Sequence, residues 1–178
     1  MSGWTRDVLD FWFGLRPDQW WSPDAALDAE IRERFEELWQ EQRDRHPSEF
    51  LGSPEKAAAA VILFDQFPRN MYRGHADQFS TDPLALAIAK AAIDKGFDER
   101  LPKPERSFLY MPFQHSEDLD DQKQSLILFH RLGDDEMLAF ARKHHDVIAR
   151  FGRYPHRNRM LGRRSTAEEE AFGLDVPW

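Results

Sequence analysis

Apolar positions recur at helical spacing along almost the whole chain. Trp4, Val8, Phe11 and Trp12 form an i, i+4, i+7, i+8 stripe that stops at Gly14, which predicts a short N-terminal helix. Ser22-Pro23-Asp24 reads as a helix start, with Ser22 as the cap, Pro in the first turn and an acid facing the positive end of the helix dipole. Leu27, Ile31, Phe35, Leu38 and Gln42 then follow one face until Pro47. Ser53-Pro54-Glu55 repeats the start signal before Ala57 to Phe64, and Asp82-Pro83 does so before Leu84, Ile88 and Ala91, with Gly96 as the stop. A shorter helix is expected from Pro104 to Tyr110. Ser116-Glu117-Asp118 opens one that ends at Gly133, and the next spans Asp135 to Phe151. Ser165-Thr166-Ala167-Glu168 has the form of a capping box for a last short helix.

No alternating strand pattern with hairpin turns interrupts this series. The expected fold is therefore all-α, a single helical domain over residues 1–178 with about eight helices, of which residues 165–178 form a short C-terminal helix and tail. A search for the 34-residue tetratricopeptide period finds no consistent repeat. A weaker echo is present in Phe67-Pro68-Arg69-Asn70 and Tyr154-Pro155-His156-Arg157-Asn158, with Met111-Pro112-Phe113 as a third proline-marked stretch. Proline lacks the N–H and clashes with the preceding turn, so a helix end is expected at each.

Composition narrows the chemistry more than the fold. Cysteine is absent, which removes disulfides, thiolate nucleophiles and thiolate metal sites together. The N-terminus lacks the charged and apolar regions of a signal peptide, and no apolar run approaches a membrane span, so a cytosolic location is the default expectation. The net charge is −8, yet residues 142–164 hold eight Lys and Arg against one acid, Asp146. Two readings of these arginines stand side by side. They pair with the acidic surplus elsewhere, or they form a site for an anion focused by the local field.

Candidate chemistry concentrates where the helices end. Asp65 continues the stripe Ala58, Val61, Ile62 and should point inward, where a carboxylate needs a partner such as Arg69 or Arg73. It reads either as a buried ion pair or as a general base, and Asn70 as a turn residue. His115 precedes a helix start, where it would stay neutral beside Glu117, poised as base or ligand. His115-Ser116-Glu117 also matches half of the zinc deaminase signature, but the cysteine half is missing. His144 falls on an apolar face and reads first as a core histidine. A metal site from His115, His144, His156 and Asp65 lacks close ligand spacing, so no metal is expected. The glycine-rich nucleotide loops, the serine-hydrolase elbow and the zincin helix motif are all absent, and no cofactor is implied.

Taken together, Asp65-Gln-Phe-Pro-Arg-Asn70 with Tyr72-Arg73, Tyr110-Met-Pro-Phe-Gln-His-Ser-Glu-Asp118 and Arg150-Phe-Gly-Arg-Tyr-Pro-His-Arg-Asn158 resemble one largely bacterial family, catalogued as domain of unknown function nine-twenty-four. The resemblance runs from Val8 to Glu169. It implies a tetratricopeptide-like arrangement of antiparallel helices and brings no established activity. The family is usually written with Phe at the place of Tyr154 and Glu at the place of Gln114.

Function therefore rests on the residues. The leading expectation is a site for a small anionic ligand, with Arg69, Asn70, Arg73, Arg153, Arg157 and Asn158 binding it. His115 or His156 would serve as acid or base, oriented by Asp65 or Glu117. The alternative is a helical scaffold that grips an acidic peptide or a C-terminal carboxylate. An acidic pI near 5.4 argues against a nucleic-acid partner. The three proline-marked stretches are expected to meet at one place.

Overall fold

A computed structural model describes residues 3–175, and every regular element among them is helical. The α-helices are α1 (Gly3–Gly14), α2 (Ala25–Gln42), α3 (Pro54–Val61), α4 (Phe67–Met71), α5 (Asp82–Asp94), α6 (Lys103–His115), α7 (Leu119–Leu132), α8 (Asp135–Phe151) and α9 (Ala167–Phe172). A π turn, Ile62–Gln66, joins α3 to α4 without a break. The chain falls into two compact units, Met1–Pro112 and Phe113–Trp178. Among the described residues no helix is long and apolar enough to cross a membrane. The last three residues of the expected C-terminal tail lie outside the described residues.

In the first unit, α3 lies against α1 and α5, and α2 lies against α4. Small side chains make the first contact possible. Ala57 to Ala60 are all buried on α3, and Ala85, Ala89 and Ala92 are buried on α5, so the two helices meet through residues that keep their axes close. Aromatic rings fill what remains. The Phe67 ring sits 4.6 Å from Phe35, 5.7 Å from Trp12 and 6.0 Å from Phe11, centroid to centroid. The N-terminal stripe thus belongs to this core, with Trp12 also edge-on to Phe108 at 5.5 Å.

The second unit is built on α7 against α8. Helix α8 buries Leu138, Ala141, His144, Val147 and Ile148 along one face. Gly133 and Gly152 end α7 and α8 with φ of 67° and 68°, a left-handed geometry that side chains with a Cβ avoid.

Several helix starts differ from the sequence expectation by one or two residues, for one physical reason. The cap of α2 is Asp24 and not Ser22, and its carboxylate accepts from the N–H groups of Ala26 and Leu27. The cap of α7 is Asp118 and not Ser116, accepting from Asp120 and Asp121. The final capping box is Thr166 with Glu169, not Ser165 with Glu168. Each stretch offers several capping side chains, and the burial of the following face selects the register. On α2 that face continues to Trp39 rather than Leu38.

Two of the three prolines do not end a helix. Pro112 lies inside α6, and Pro68 lies in the first turn of α4 just after the π turn. The wide turn shows how Pro68 is tolerated. Phe67 N–H bonds to the carbonyl of Ile62, five residues back. The carbonyl of Phe64, which an N–H at position 68 would normally reach, instead accepts from the Thr81 hydroxyl at 2.6 Å. Thr81 in turn accepts from Trp39 Nε1 at 3.2 Å. Side chains from α2 and from the start of α5 thereby replace the missing backbone donor.

Candidate functional site

In the first unit the π turn carries Asp65 into the interior, where its exposure is 0 %. Gln66 Nε2 donates to Asp65 Oδ2 at 2.6 Å, and Arg69 Nη1 lies 3.7 Å from Asp65 Oδ1. Arg69 also donates to the Asp65 carbonyl and forks onto Asp82 at 2.8 and 3.0 Å. One turn on, Asp28 of α2 accepts from Asn70 Nδ2 at 2.8 Å and from Arg73 at 2.7 and 2.9 Å. Partial burial pushes the Asp28 carboxyl up, but the bonds from Arg73 and Asn70 outweigh it and hold the group below its usual range. Arg69, Asn70 and Arg73 thus serve carboxylates that the sequence reading did not pair with them, Asp82 and Asp28. Asp82 was read only as part of a helix start, and both acids are joined to the arginines only by the fold.

In the second unit the arginine loop is tied down by two carboxylates. Glu117 accepts from Arg163 at 2.7 and 2.9 Å and from the Tyr154 N–H at 2.8 Å. Burial alone would raise its pKa, and Arg163 with the Tyr154 N–H more than reverse that. Glu169, 1 % exposed, accepts from Arg153 at 2.7 and 2.9 Å, from the Thr166 N–H at 2.7 Å and from Asn158 at 3.2 Å. The Arg153 fork, opposed by burial and helped by the Thr166 N–H, lowers the Glu169 carboxyl to about 2. Arg153, Asn158 and Glu117 are therefore clasps of the loop. Glu169 is the residue the sequence reading missed, since nothing in Glu168-Glu169-Glu170 marks the middle acid as the buried one.

Between these clasps stands Tyr154, with 0 % of its surface exposed. Its hydroxyl donates to the Gln114 carbonyl at 2.5 Å and accepts from Gln122 Nε2 at 2.8 Å. Its ring meets His144 at 5.8 Å and His156 at 5.4 Å, and the Arg157 guanidinium lies 4.5 Å over it. His115 reaches His144 at 6.3 Å between ring centroids, and Arg157 Nη2 donates to the His115 carbonyl at 3.0 Å. Residues 113–118 and 150–158 thus meet inside this unit through Tyr154. Residues 65–73 belong to the first unit, with the carboxylate partners given above.

His144 lies 2.8 Å through Nδ1 from the Phe140 carbonyl, which assigns the proton to Nδ1 and leaves Nε2 as an acceptor. Its pKa falls to about 3. Desolvation is the main cause, partly offset by the Phe140 carbonyl and reinforced by the charges of His115, Arg157 and His156. At neutral pH this imidazole is uncharged. No group of three or more His, Asp or Glu able to hold a metal occurs among the described residues.

A separate groove of about 310 Å³ on the same unit is lined by Lys143, Asp146, Val147, Arg150, Phe151 and Phe172. It shares no residue with the Tyr154 cluster. The cluster is the better candidate for chemistry, because the histidines and Arg157 gather there while the groove floor is apolar.

Comparison with known proteins agrees with the geometry in giving fold without activity. No curated protein matches the chain. A solved structure of a protein of unknown function from Agrobacterium tumefaciens is similar at 39 % identity and a TM-score of 0.89, covering 94 % of this chain and 95 % of that one. A family profile described as bacterial protein of unknown function (DUF924) matches residues 8–175, and the chain belongs to that family.

Proposed function

We propose that the second unit binds a small anion, a phosphate or carboxylate group, at the cluster around Tyr154. The observation that carries this reading is the gathering of His144, His156 and Arg157 around one buried ring, with Arg157 over its face and His115 beside His144. Such groups repel one another when charged, and an anion relieves that repulsion. Arg157 is the planar donor for it, and His115 and His156, both only partly buried, are the groups placed to exchange a proton with it. Glu117 and Arg163 hold the loop in place for this role. Asp65 belongs to the ion-pair network of the first unit.

The test is thermal unfolding of the full chain with added inorganic phosphate and with acetate. Binding to the native state alone stabilises by about 2.7 kcal/mol at a hundredfold excess over Kd. We expect at least one of the two anions to raise Tm, and R157K to lose most of that rise while keeping the Tm of the unliganded protein. R150K, altered outside the cluster, should keep the rise. No rise with either anion at saturating concentration overturns the reading.

A second reading, an acidic peptide bound on this unit, draws support from the groove, where Lys143 and Arg150 flank Val147, Phe151 and Phe172. A peptide carrying a carboxylate beside an aromatic side chain would lose affinity in F172A and be indifferent to R157K.

A further inference from the structure

Among the described residues of the second unit, the buried side-chain atoms Gln114 Oε1, Gln122 Oε1 and Ser125 Oγ have no hydrogen-bond partner within the protein. Gln114 is 4 % exposed, and Gln122 and Ser125 are 0 % exposed. Two of these atoms are acceptors only. Exchanging the ends of the Gln122 amide gives no relief, because its Nε2 already faces Gln114 O at 2.8 Å, Ser116 O at 2.6 Å and Tyr154 Oη at 2.8 Å. Those partners require a donor at that end, so the other end is an acceptor by necessity.

Both glutamines join the Tyr154 cluster. The tyrosine hydroxyl lies between the Gln114 carbonyl and the Gln122 amide, and the same ring meets His144, His156 and Arg157. The cluster therefore combines cationic donors with buried neutral acceptors. A metal cation would suit the amide oxygens but is opposed by Arg157 and by any protonated histidine. A carboxylate or a sulfate suits the cations but brings only lone pairs to the glutamine oxygens. A hydrogen phosphate group carries both kinds of atom, ionised oxygens and an acidic hydroxyl.

Building on the anion site of the previous section, we propose that its ligand is a hydrogen phosphate group, free or as a phosphomonoester. Arg157, His115 and His156 take its ionised oxygens, and Gln114 Oε1 and Gln122 Oε1 are the acceptors for its hydroxyl hydrogens, one in the dianion of free phosphate and two in its monoanion. Neutral acceptors of this kind select for the proton on the ligand. An anion of the same shape and charge without that proton leaves them unsatisfied.

The experiment measures inorganic phosphate and sulfate binding to the full chain by calorimetry at pH 7 and matched ionic strength. We expect phosphate to bind at least tenfold more tightly. Q114L should lose that preference by weakening phosphate binding while leaving sulfate binding as it is. Should Q114L fail to fold, the wild-type chain supplies the second measurement. The ratio of phosphate to sulfate affinity should rise as pH falls from 8 to 6 and phosphate gains a proton, since histidine titration acts on both anions alike. Equal affinities for the two anions, or a ratio that does not change with pH, overturn the hydrogen phosphate proposal and leave the anion site standing. If neither inorganic anion binds and acetate does, the hydrogen phosphate proposal falls and a carboxylate site stands. If none of the three binds, both proposals fall.

Discussion

Arg69 and Arg157 both follow an aromatic-proline pair, yet the two sites treat their arginine in opposite ways. In the first unit Arg69 lies beside two carboxylates, Asp65 and Asp82, and Arg73 forks onto a third, Asp28. In the second unit the flanking arginines, Arg153 and Arg163, take Glu169 and Glu117, while Arg157 between them donates to a carbonyl, lies over a tyrosine beside histidines and acts on Glu117 through its charge. Similar sequence punctuation thus encodes a charge-matched lock in one place and a cation-rich cluster in the other. The difference lies in partners remote along the chain, since Asp28 and Asp82 come from α2 and α5 and Glu169 from α9.

If the first site is a lock, its central acid should matter most. Replacing Asp65 with Ala should cost about 3 kcal/mol, because the partly buried Arg69 guanidinium loses one of its carboxylates and the buried amide of Gln66 loses its acceptor. Chemical denaturation measures this, and an unchanged midpoint would contradict the buried ion-pair assignment.

The second site should show itself through pH. His144 titrates near its ordinary value when unfolded and near 3 when folded, so above about pH 6.5 it is neutral in both states and has no effect. As pH falls below that value the unfolded chain takes up a proton that the native state refuses. Stability then drops by up to about 1.4 kcal/mol per pH unit, or about 2.5 kcal/mol between pH 6.5 and 4.5. H144Q should flatten this part of the pH profile. A profile identical to wild type would remove His144 as the source.

The π turn offers a smaller test of the first site. T81A leaves the Phe64 carbonyl and the Trp39 indole N–H without the hydroxyl that serves both, and should cost about 1.5 kcal/mol. T81S should restore most of it. Smallest of all is Arg73, whose side chain is 45 % exposed. Solvent screening limits R73A to about 0.5 kcal/mol, and a loss several times larger would mean that Arg73 does more than pair with Asp28.

The helices were legible because their signals are local. Asp135 to Phe151 was read as one helix, and Asp65 was placed inward by the stripe it continues. The cap positions were not, because Ser116 and Asp118 are both competent and only tertiary packing chooses between them. The prolines misled for a related reason. A sequence shows the missing N–H at Pro68 but not that Thr81, thirteen positions later, replaces it. In the candidate site His115, His156 and Arg157 stood out by type. Tyr154 and Gln122 did not, since a buried hydroxyl and a buried amide resemble ordinary core and surface residues until their partners are known. The Tyr154 hydroxyl is held by Gln114 and Gln122, contacts that a phenylalanine at this position would lack.

The five residues Ile62–Gln66 also set an angular phase. A π turn holds one residue more than the α-helical stretch it replaces, and each residue of an α-helix advances the side chains by about 100°. Removing one residue there would allow a regular helix, but everything after it would rotate by that angle relative to the alanine face of α3. Phe67 would swing away from Phe35 and Trp12, and Asn70 and Arg73 would leave Asp28. The extra residue is thus the indexing tooth of the first unit, and a single deletion within it should do more harm than any one substitution named above.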